Sequence, residues 1–556
     1  KSAMLEKFLS FCLLAFFTFN LNAQGRFSGD VQLNVKVFDR DEDITPDTEF
    51  YRWAFSGMEM WFNLNYVHES DLEIGLRLDA FNNSDLFSGG QTINNGVGIG
   101  RFYVKKRIDK LSVEVGHIYD QIGNGFIYRT YENRGLGLDS PLLGIQAKYD
   151  LGENVQFKAF GGKLKSISQF VGPGDKDLFE VFEPFVKGVN LEGNFQIGES
   201  GVRFSPGYGF VNRTTDLASI NQIANSINSQ PLETRFVPRH NAFVHSFYTS
   251  VYLKNWTILA EYAWKSEDTL RDSRLNSGNF LINEEGQVFY SSIGYSVKGF
   301  GISASFRDTK FFDFRTSANQ GLFNGIINFI PPLARQNSLR LPARYQSNAQ
   351  FLDETGYQLD AIYSPKKGLV FTANYSYIED DNGKLFQEVY VDAEIKKKGS
   401  DWKFLTGFNL VDYNLLVYQG PGKSDWVNTI SPFFETTYKI TRKKSIRAEA
   451  QYLLTKRQFV LGGEKDPNPD QLQDLGDWVY GLVEFNIAPK YSVSASDMYS
   501  IDTDIHYYDF SVFYTEKASR FALSFVRQVE GIVCTGGVCR FEPAFNGLKI
   551  GMTTSF

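Results

Sequence analysis

Along nearly the whole chain, apolar and polar residues alternate one for one. At the C-terminal end Leu548, Ile550, Met552, Thr554 and Phe556 fall on one side, with Lys549, Gly551, Thr553 and Ser555 on the other. The same period sets Val31, Leu33, Val35 and Val37 against Asp30, Gln32, Asn34 and Lys36, and Leu72, Ile74, Leu76 and Leu78 against Glu73, Gly75, Arg77 and Asp79. It returns in Trp256 to Trp264, in Trp402 to Phe408, and in Ile446 to Tyr452, where Arg447, Glu449 and Gln451 hold the polar side. Successive side chains of a strand point to opposite faces, so this period predicts strands with one apolar and one polar face. Alternation alone does not separate a sandwich, whose apolar faces share one core, from a membrane barrel, whose apolar faces meet lipid.

Connector lengths separate the two. Short, often basic connectors at residues 68–71, 105–110, 254–255, 298–299, 365–367, 396–400, 441–444 and 489–490 alternate strictly with long polar or acidic ones at 39–49, 82–95, 265–286, 308–355, 412–429 and 456–477. Short turns at one end and long loops at the other define an all-β, up-and-down antiparallel transmembrane barrel with long extracellular loops. The segments number about 24 at ~10 residues per strand, and the stretches 188–210 and 308–355, hard to divide, move that count by two to four. Tyr66, Trp256, Trp264, Tyr363, Tyr377, Trp402, Tyr438 and Tyr499 fall near the ends of the apolar faces, where amphipathic rings form the two interfacial girdles of such a barrel.

Composition narrows this further. Among 556 residues, Phe (51) outnumbers Gly (49), aromatic residues make up 16%, and Pro is rare at 17. A chain this rich in apolar and aromatic residues is not disordered. The net charge of −7 gives no basic footprint, which excludes nucleic acid as a partner. Lys7, the apolar run 8–19 and the Leu21-Asn22-Ala23 ending before Gln24 form a secretory signal peptide, residues 1–23. Residues 24–556 then form a single barrel domain with no apolar run long enough for a membrane helix. Cys534 and Cys539, the two cysteines beyond the leader, suit a disulfide closing one short loop of an exported protein.

Two longer segments carry a resemblance. Gly123-Asn124-Gly125-Phe126-Ile127-Tyr128-Arg129-Thr130-Tyr131-Glu132 leading to Leu136-Gly137-Leu138-Asp139, and Ile330-Pro331-Pro332-Leu333-Ala334-Arg335-Gln336 leading to Asp353-Glu354-Thr355-Gly356, resemble stretches of an uncharacterised family of large Bacteroidota barrels. The Asn22-Ala23-Gln24 junction resembles leaders of that phylum. With its leader, sorted connectors and a last strand ending on Phe556, the chain resembles a bacterial outer-membrane β-barrel protein. The resemblance implies export to the cell outer membrane, contact with lipid and lipopolysaccharide, recognition of the last strand by the barrel assembly machinery, and envelope proteins as further partners. It names no cofactor and no cargo.

Catalytic chemistry is not legible. Of the five His residues, only His240 and His245 are close in sequence, and five positions apart on a strand puts them on opposite faces. No hydroxyl, His and orienting group share a wall as a hydrolase needs, so the chain reads as non-enzymatic. Gly420-Pro421-Gly422-Lys423-Ser424 lacks the first Gly of a phosphate loop, with Val417 in its place. Asp39 to Asp43 with Asp47 and Glu49 reads as a solvated acidic loop rather than a Ca²⁺ site, so no metal is expected.

The polar strand faces are the informative set, because in a membrane barrel they line the lumen. Glu73, Arg77, Glu261, Asp360, Asp392, Glu394, Glu435, Arg447, Glu449 and Glu484 are the candidates. They form either a polar permeation path or a wall whose charges satisfy one another across strands. A lumen of about 24 strands needs filling, since barrels of ~22 strands are plugged. No room for a separate plug lies between the leader and a first strand near Phe27, so residues 120–140 and 308–355, with their apolar piece 322–333, are the expected constrictions. The leading function is a porin-like channel or transporter for small polar solutes, with a preference for cations. The alternative is a barrel subunit or docking surface in an outer-membrane secretion or assembly complex.

Overall fold

Strand after strand pairs antiparallel with its chain neighbour, from Gly25–Phe38 against Ser56–His68 to Ser519–Gln528 against Phe545–Ser555. The computed structural model describes residues 25–44, 54–84, 94–166, 180–198, 201–272, 280–320, 324–419, 426–455, 476–535 and 538–556. The last strand returns to the first, in register from Asp30 opposite Ser555 to Phe38 opposite Gly547. Val181–Gly193 and Phe195–Ile197 both pair with Val202–Thr214 and form one wall strand interrupted at Asn194. The result is a closed barrel of 24 antiparallel strands. The signal-peptide segment lies outside the described residues.

The distribution of polarity is inverted relative to a water-soluble protein. Outward positions carry Tyr363 at 51% exposure, Val493 at 47% and Leu523 at 48%, while Arg77, Glu261 and Arg307 point inward at 1% each. An apolar surface circling the whole wall far exceeds the few hundred Å² of a normal exposed patch. That excludes the sandwich, because the apolar faces do not meet one another. Among the described residues no helix is long and apolar enough to cross a membrane.

The aromatic residues fall into two rings. Tyr66, Trp256, Tyr363, Trp402 and Tyr438 lie toward the short-turn end, and Trp264, Tyr377 and Tyr499 toward the loop end. Cross-strand ring pairs reinforce each ring, with Trp402 4.5 Å from Tyr438 at the turn end and Tyr357 5.4 Å from Tyr377 at the loop end. From Trp256 to Trp264 is about 26 Å along the strand. At a tilt of ~40° this is about 20 Å along the axis, close to the ~25 Å apolar band of membrane barrels.

At the turn end every connector is short, the longest running over residues 396–401. The other end holds the long loops, but the strict alternation expected from sequence fails twice, where residues 381–382 and 501–504 join adjacent strands tightly. The first of these is a tight turn that Gly383 closes at φ +120°. The expected long loop at 265–286 also shrinks. Its flanking strands, Trp256–Asp272 and Phe280–Val297, run on for 17 and 18 residues past a register shift between Lys265 and Asp268. That bulge breaks the two-residue period, so the sequence pattern ends before the strand does.

Candidate functional site: a lumen filled from the loop end

A circular wall of this strand number, at ~4.8 Å spacing and ~40° tilt, is roughly 45–50 Å across between backbones. Side chains cannot fill such a width, so chain from elsewhere must. Among the described residues two loop segments do, 119–141 and the described part of 311–352.

The first infold is a tight hairpin. Gln121 bridges Arg129, the Ile122 N–H donates to the Tyr128 carbonyl at 3.1 Å, and Gly123 and Gly125 take φ +54° and +95° at the bend. Its apolar tip, Ile122, Phe126, Ile127 and Tyr128, is fully buried against the wall, with Tyr128 stacked on Phe160 at 4.3 Å. Gly209 permits this approach, because a Cβ there would stand 2.5 Å from Ile122. The backbone N–H and side-chain amide of Asn124 both reach Glu261, and Asp120 pairs with Lys158 at 2.8 Å. The return limb is held by charge. Arg77 pairs with Asp79 at 2.7 Å and with Glu132 at 2.8 Å, and also with Asp139, to which Lys165 donates at 2.6 Å. Burial alone would raise the Asp139 pKa, but Lys165 and Arg77 hold the carboxyl well below its usual range.

The second infold begins beside the first and is hydrogen-bonded to it. The Arg129 N–H donates to the Ile327 carbonyl and the Phe329 N–H to the Gly125 carbonyl, both at 2.9 Å. Arg213, paired with Asp268, donates to the Arg315 carbonyl at 2.7 Å, and Lys265 to the Asp313 carbonyl at 2.7 Å. Ile327, Ile330 and Leu333 of the apolar piece are buried in the cores formed with the first infold and the wall. A helix over Leu217–Asn228, capped by Asp216, lies close by, with Ile223 and Ile227 in one cluster with Leu281 and Ala318.

Past Ile330 the chain crosses the lumen. Arg307 donates to the Pro331 carbonyl and pairs with Glu354. Arg335 covers the Tyr390 ring at 3.8 Å, Asn337 donates to Glu388 at 2.8 Å, the Leu341 N–H donates to Gln451 at 2.8 Å, and Arg344 covers Trp478 at 4.3 Å. This crossbar thus ties strand Phe300–Lys310 to strands as far along the wall as Trp478–Ile487. The backbone hairpin of Gly531–Thr535 and Val538–Glu542 runs beside both infolds, near Pro342–Arg344 and Arg134–Leu136.

Filling is one-sided. On one strand Glu388 is 1% exposed, whereas the Glu394 side chain, nearer the turn end, is 40% exposed. A recess of about 350 Å³ at the turn end is lined by Glu73, Lys105, Glu114 and Lys148. The ten sequence candidates are therefore not gathered into one site. Arg77 and Glu261 hold the first infold. Glu435, Glu449 and Glu484 surround Arg447, the first at 2.9 Å and the last at 3.8 Å. Glu394 pairs with Lys403 at 2.9 Å, Asp360 accepts from Asn374 at 2.7 Å, and Glu73 accepts from the Tyr103 hydroxyl at 2.5 Å. Asp392 is buried two residues from Tyr390. The sequence reading missed Glu132, Asp139, Lys165 and Glu388. Glu388 was recoverable, since it shares the two-residue period of Asp392 and Glu394.

Residues 4–556 match the profile of a family of unknown function, DUF6029. The chain belongs to that family. No curated protein matches it in sequence. Similar solved structures include the siderophore receptor PirA from Pseudomonas aeruginosa, at 10% identity and a TM-score of 0.41, covering 96% of this chain and 81% of that one. OpdK of the same organism, solved with vanillate, shares 9% identity at a TM-score of 0.36, with 95% and 98% covered. OccK3 (OpdO) shares 9% at 0.34, with 95% of each covered. At such identities and scores these likenesses carry no functional argument.

Proposed function

We propose that this family member is exported, loses its leader after Ala23, and acts in the outer membrane of a Bacteroidota cell as a channel for small polar solutes. The observation that carries the reading is the one-sided lumen: a charged inner wall, open and wet toward the short turns, is narrowed toward the loops by two infolds hydrogen-bonded to the wall. Chain tied across a lumen by polar contacts restricts passage, and wall charges beneath it sort what passes. The same reading gives the barrel lipid and lipopolysaccharide as its surroundings and the assembly machinery as the partner of its last strand.

Planar-bilayer recording tests it. Wild type is expected to give small, discrete conductances that rise when residues 322–333 are shortened, with the barrel still assembled. Silence in both proteins, together with co-purification of other envelope proteins, favours the docking or assembly role instead.

A further inference from the structure

Three inner-wall glutamates are buried without an ion pair among the described residues, and they differ in one respect. Glu59 accepts from Asn34 with one oxygen and from Ser84 with the other. Glu261 has both oxygens engaged, one by Asn124 and the other by Ser246. Glu388 accepts from Asn337 with one oxygen, while its second oxygen is buried with no hydrogen bond of good geometry, although the Asn409 amide lies beside it. Arg335 bears on Glu388 from the crossbar through its backbone N–H and its charge, while its guanidinium lies over Tyr390 and its Nε donates to Asn337 at 3.3 Å.

The second oxygen of Glu388 has company. Neither amide atom of Asn409 makes a hydrogen bond of good geometry, and the same holds for the Ser431 hydroxyl on the wall and, on the crossbar, for the Ser347 hydroxyl and the Gln346 carbonyl oxygen, all of them buried. The register places Asn409 opposite both Tyr390 and Ser431 on the wall. From the crossbar, Gln346 donates to the Asn337 carbonyl at 3.1 Å, at the residue that holds Glu388. These groups are mostly acceptors: a carboxylate oxygen, two amide oxygens and two hydroxyls. Buried polar groups are almost always partnered, so such a cluster signals a missing partner. Its chemistry is that of a donor or a hard cation, since oxygen ligands suit such ions. One carboxylate, with Arg335 already on its crossbar side, calls for no more than one further positive charge, and an anion would meet like charge.

We propose that the space between the crossbar and strands Gly383–Ile395, Trp402–Asn414 and Trp426–Lys439 binds a compact monovalent cation. The cation is an alkali ion or the primary ammonium head of a small solute. The inference deepens the channel reading by naming the solute class, and rests on it for its transport meaning only.

Binding is therefore read without conduction. The thermal midpoint of the purified barrel in detergent is followed in KCl, in methylammonium chloride and in the chloride of bulky N-methylglucamine at equal ionic strength. Wild type is expected to be raised by one or both compact cations. Glu388→Gln should weaken that apparent affinity by roughly tenfold or more, as loss of a charge-assisted contact does, and Ser431→Ala less. A response to K⁺ alone assigns an alkali site, and a stronger response to methylammonium assigns an ammonium site. If Glu388 simply keeps a proton, wild type and Glu388→Gln respond alike, which overturns the proposal. Should Glu388→Gln not fold, Ser431→Ala and Asn409→Ala carry the same comparison. Retained cation binding in a barrel silent in bilayers would sink the channel reading and leave this site standing.

Discussion

Asn124 donates its backbone N–H and its side-chain amide to the same oxygen of Glu261, each at 2.8 Å, while Ser246 donates to the other oxygen at 2.7 Å. The tip of the first infold thus hangs on one carboxylate of the wall. Glu261→Ala strands three donors, at about 1–3 kcal/mol for each one left buried and unpaired. The expected outcome is a lower thermal midpoint, faster proteolysis within residues 119–141 and a larger, noisier bilayer conductance. Glu261→Gln, which keeps an acceptor, should do less.

The return limb makes a pH prediction. A carboxyl whose folded pKa is depressed stabilises the fold above its ordinary pKa of about 3.9, and loses that contribution only as pH falls through the lower value. Asp139 is such a group, so the infold should stay docked from neutral pH to about pH 4. Asp139→Asn, which breaks a buried pairing with Arg77 and Lys165, should cost about 3–5 kcal/mol and remove the plateau. Proteolytic accessibility of residues 119–141 across pH is the measurement.

Wall and filling differ in how far the sequence revealed them. Glu73, Arg77, Glu394 and Glu449 could be placed on the inner face because a strand's period is local and uninterrupted. The contacts that fix the lumen are not local. Asn124 meets Glu261 and Asp139 meets Arg77 across long stretches of chain, and no periodicity encodes which wall strand a loop will touch. The segments themselves were legible, since an apolar piece such as 322–333 is unusual for a purely solvated loop. Glu388 escaped because Tyr390 and Phe386 beside it blurred the polar face.

Topology has a direct test. A tag inserted within residues 456–477 should be reached from outside intact cells, whereas one at Pro489-Lys490, in a short turn, should not. Equal labelling at both sites would contradict the orientation.

The wall charges left open toward the turn end should set ion preference. Glu394 and Glu484, with side chains 40% and 26% exposed, face the wet part of the lumen. Replacing both by Lys is expected to move the reversal potential toward anions, and no movement would exclude a path past them.

The cysteines face each other in the backbone register of their hairpin, Cys534 opposite Cys539. They should be found oxidised in non-reduced protein by thiol titration and mass spectrometry. Reduction should shift the thermal midpoint little, because the loop they close is short.

The seam between Gly25–Phe38 and Phe545–Ser555 sets an order of events. Until those strands meet, the growing sheet has two free edges whose unpaired N–H and C=O groups cannot be tolerated in hydrocarbon. Closing it joins residues at opposite ends of the chain, the kind of long-range contact that makes folding slow. The crossbar spans strands as far apart as Phe300–Lys310 and Trp478–Ile487, so its contacts are complete only once that part of the wall has curved. The filling is therefore expected to dock after the wall has curved, so that an assembly intermediate would carry its infolds undocked.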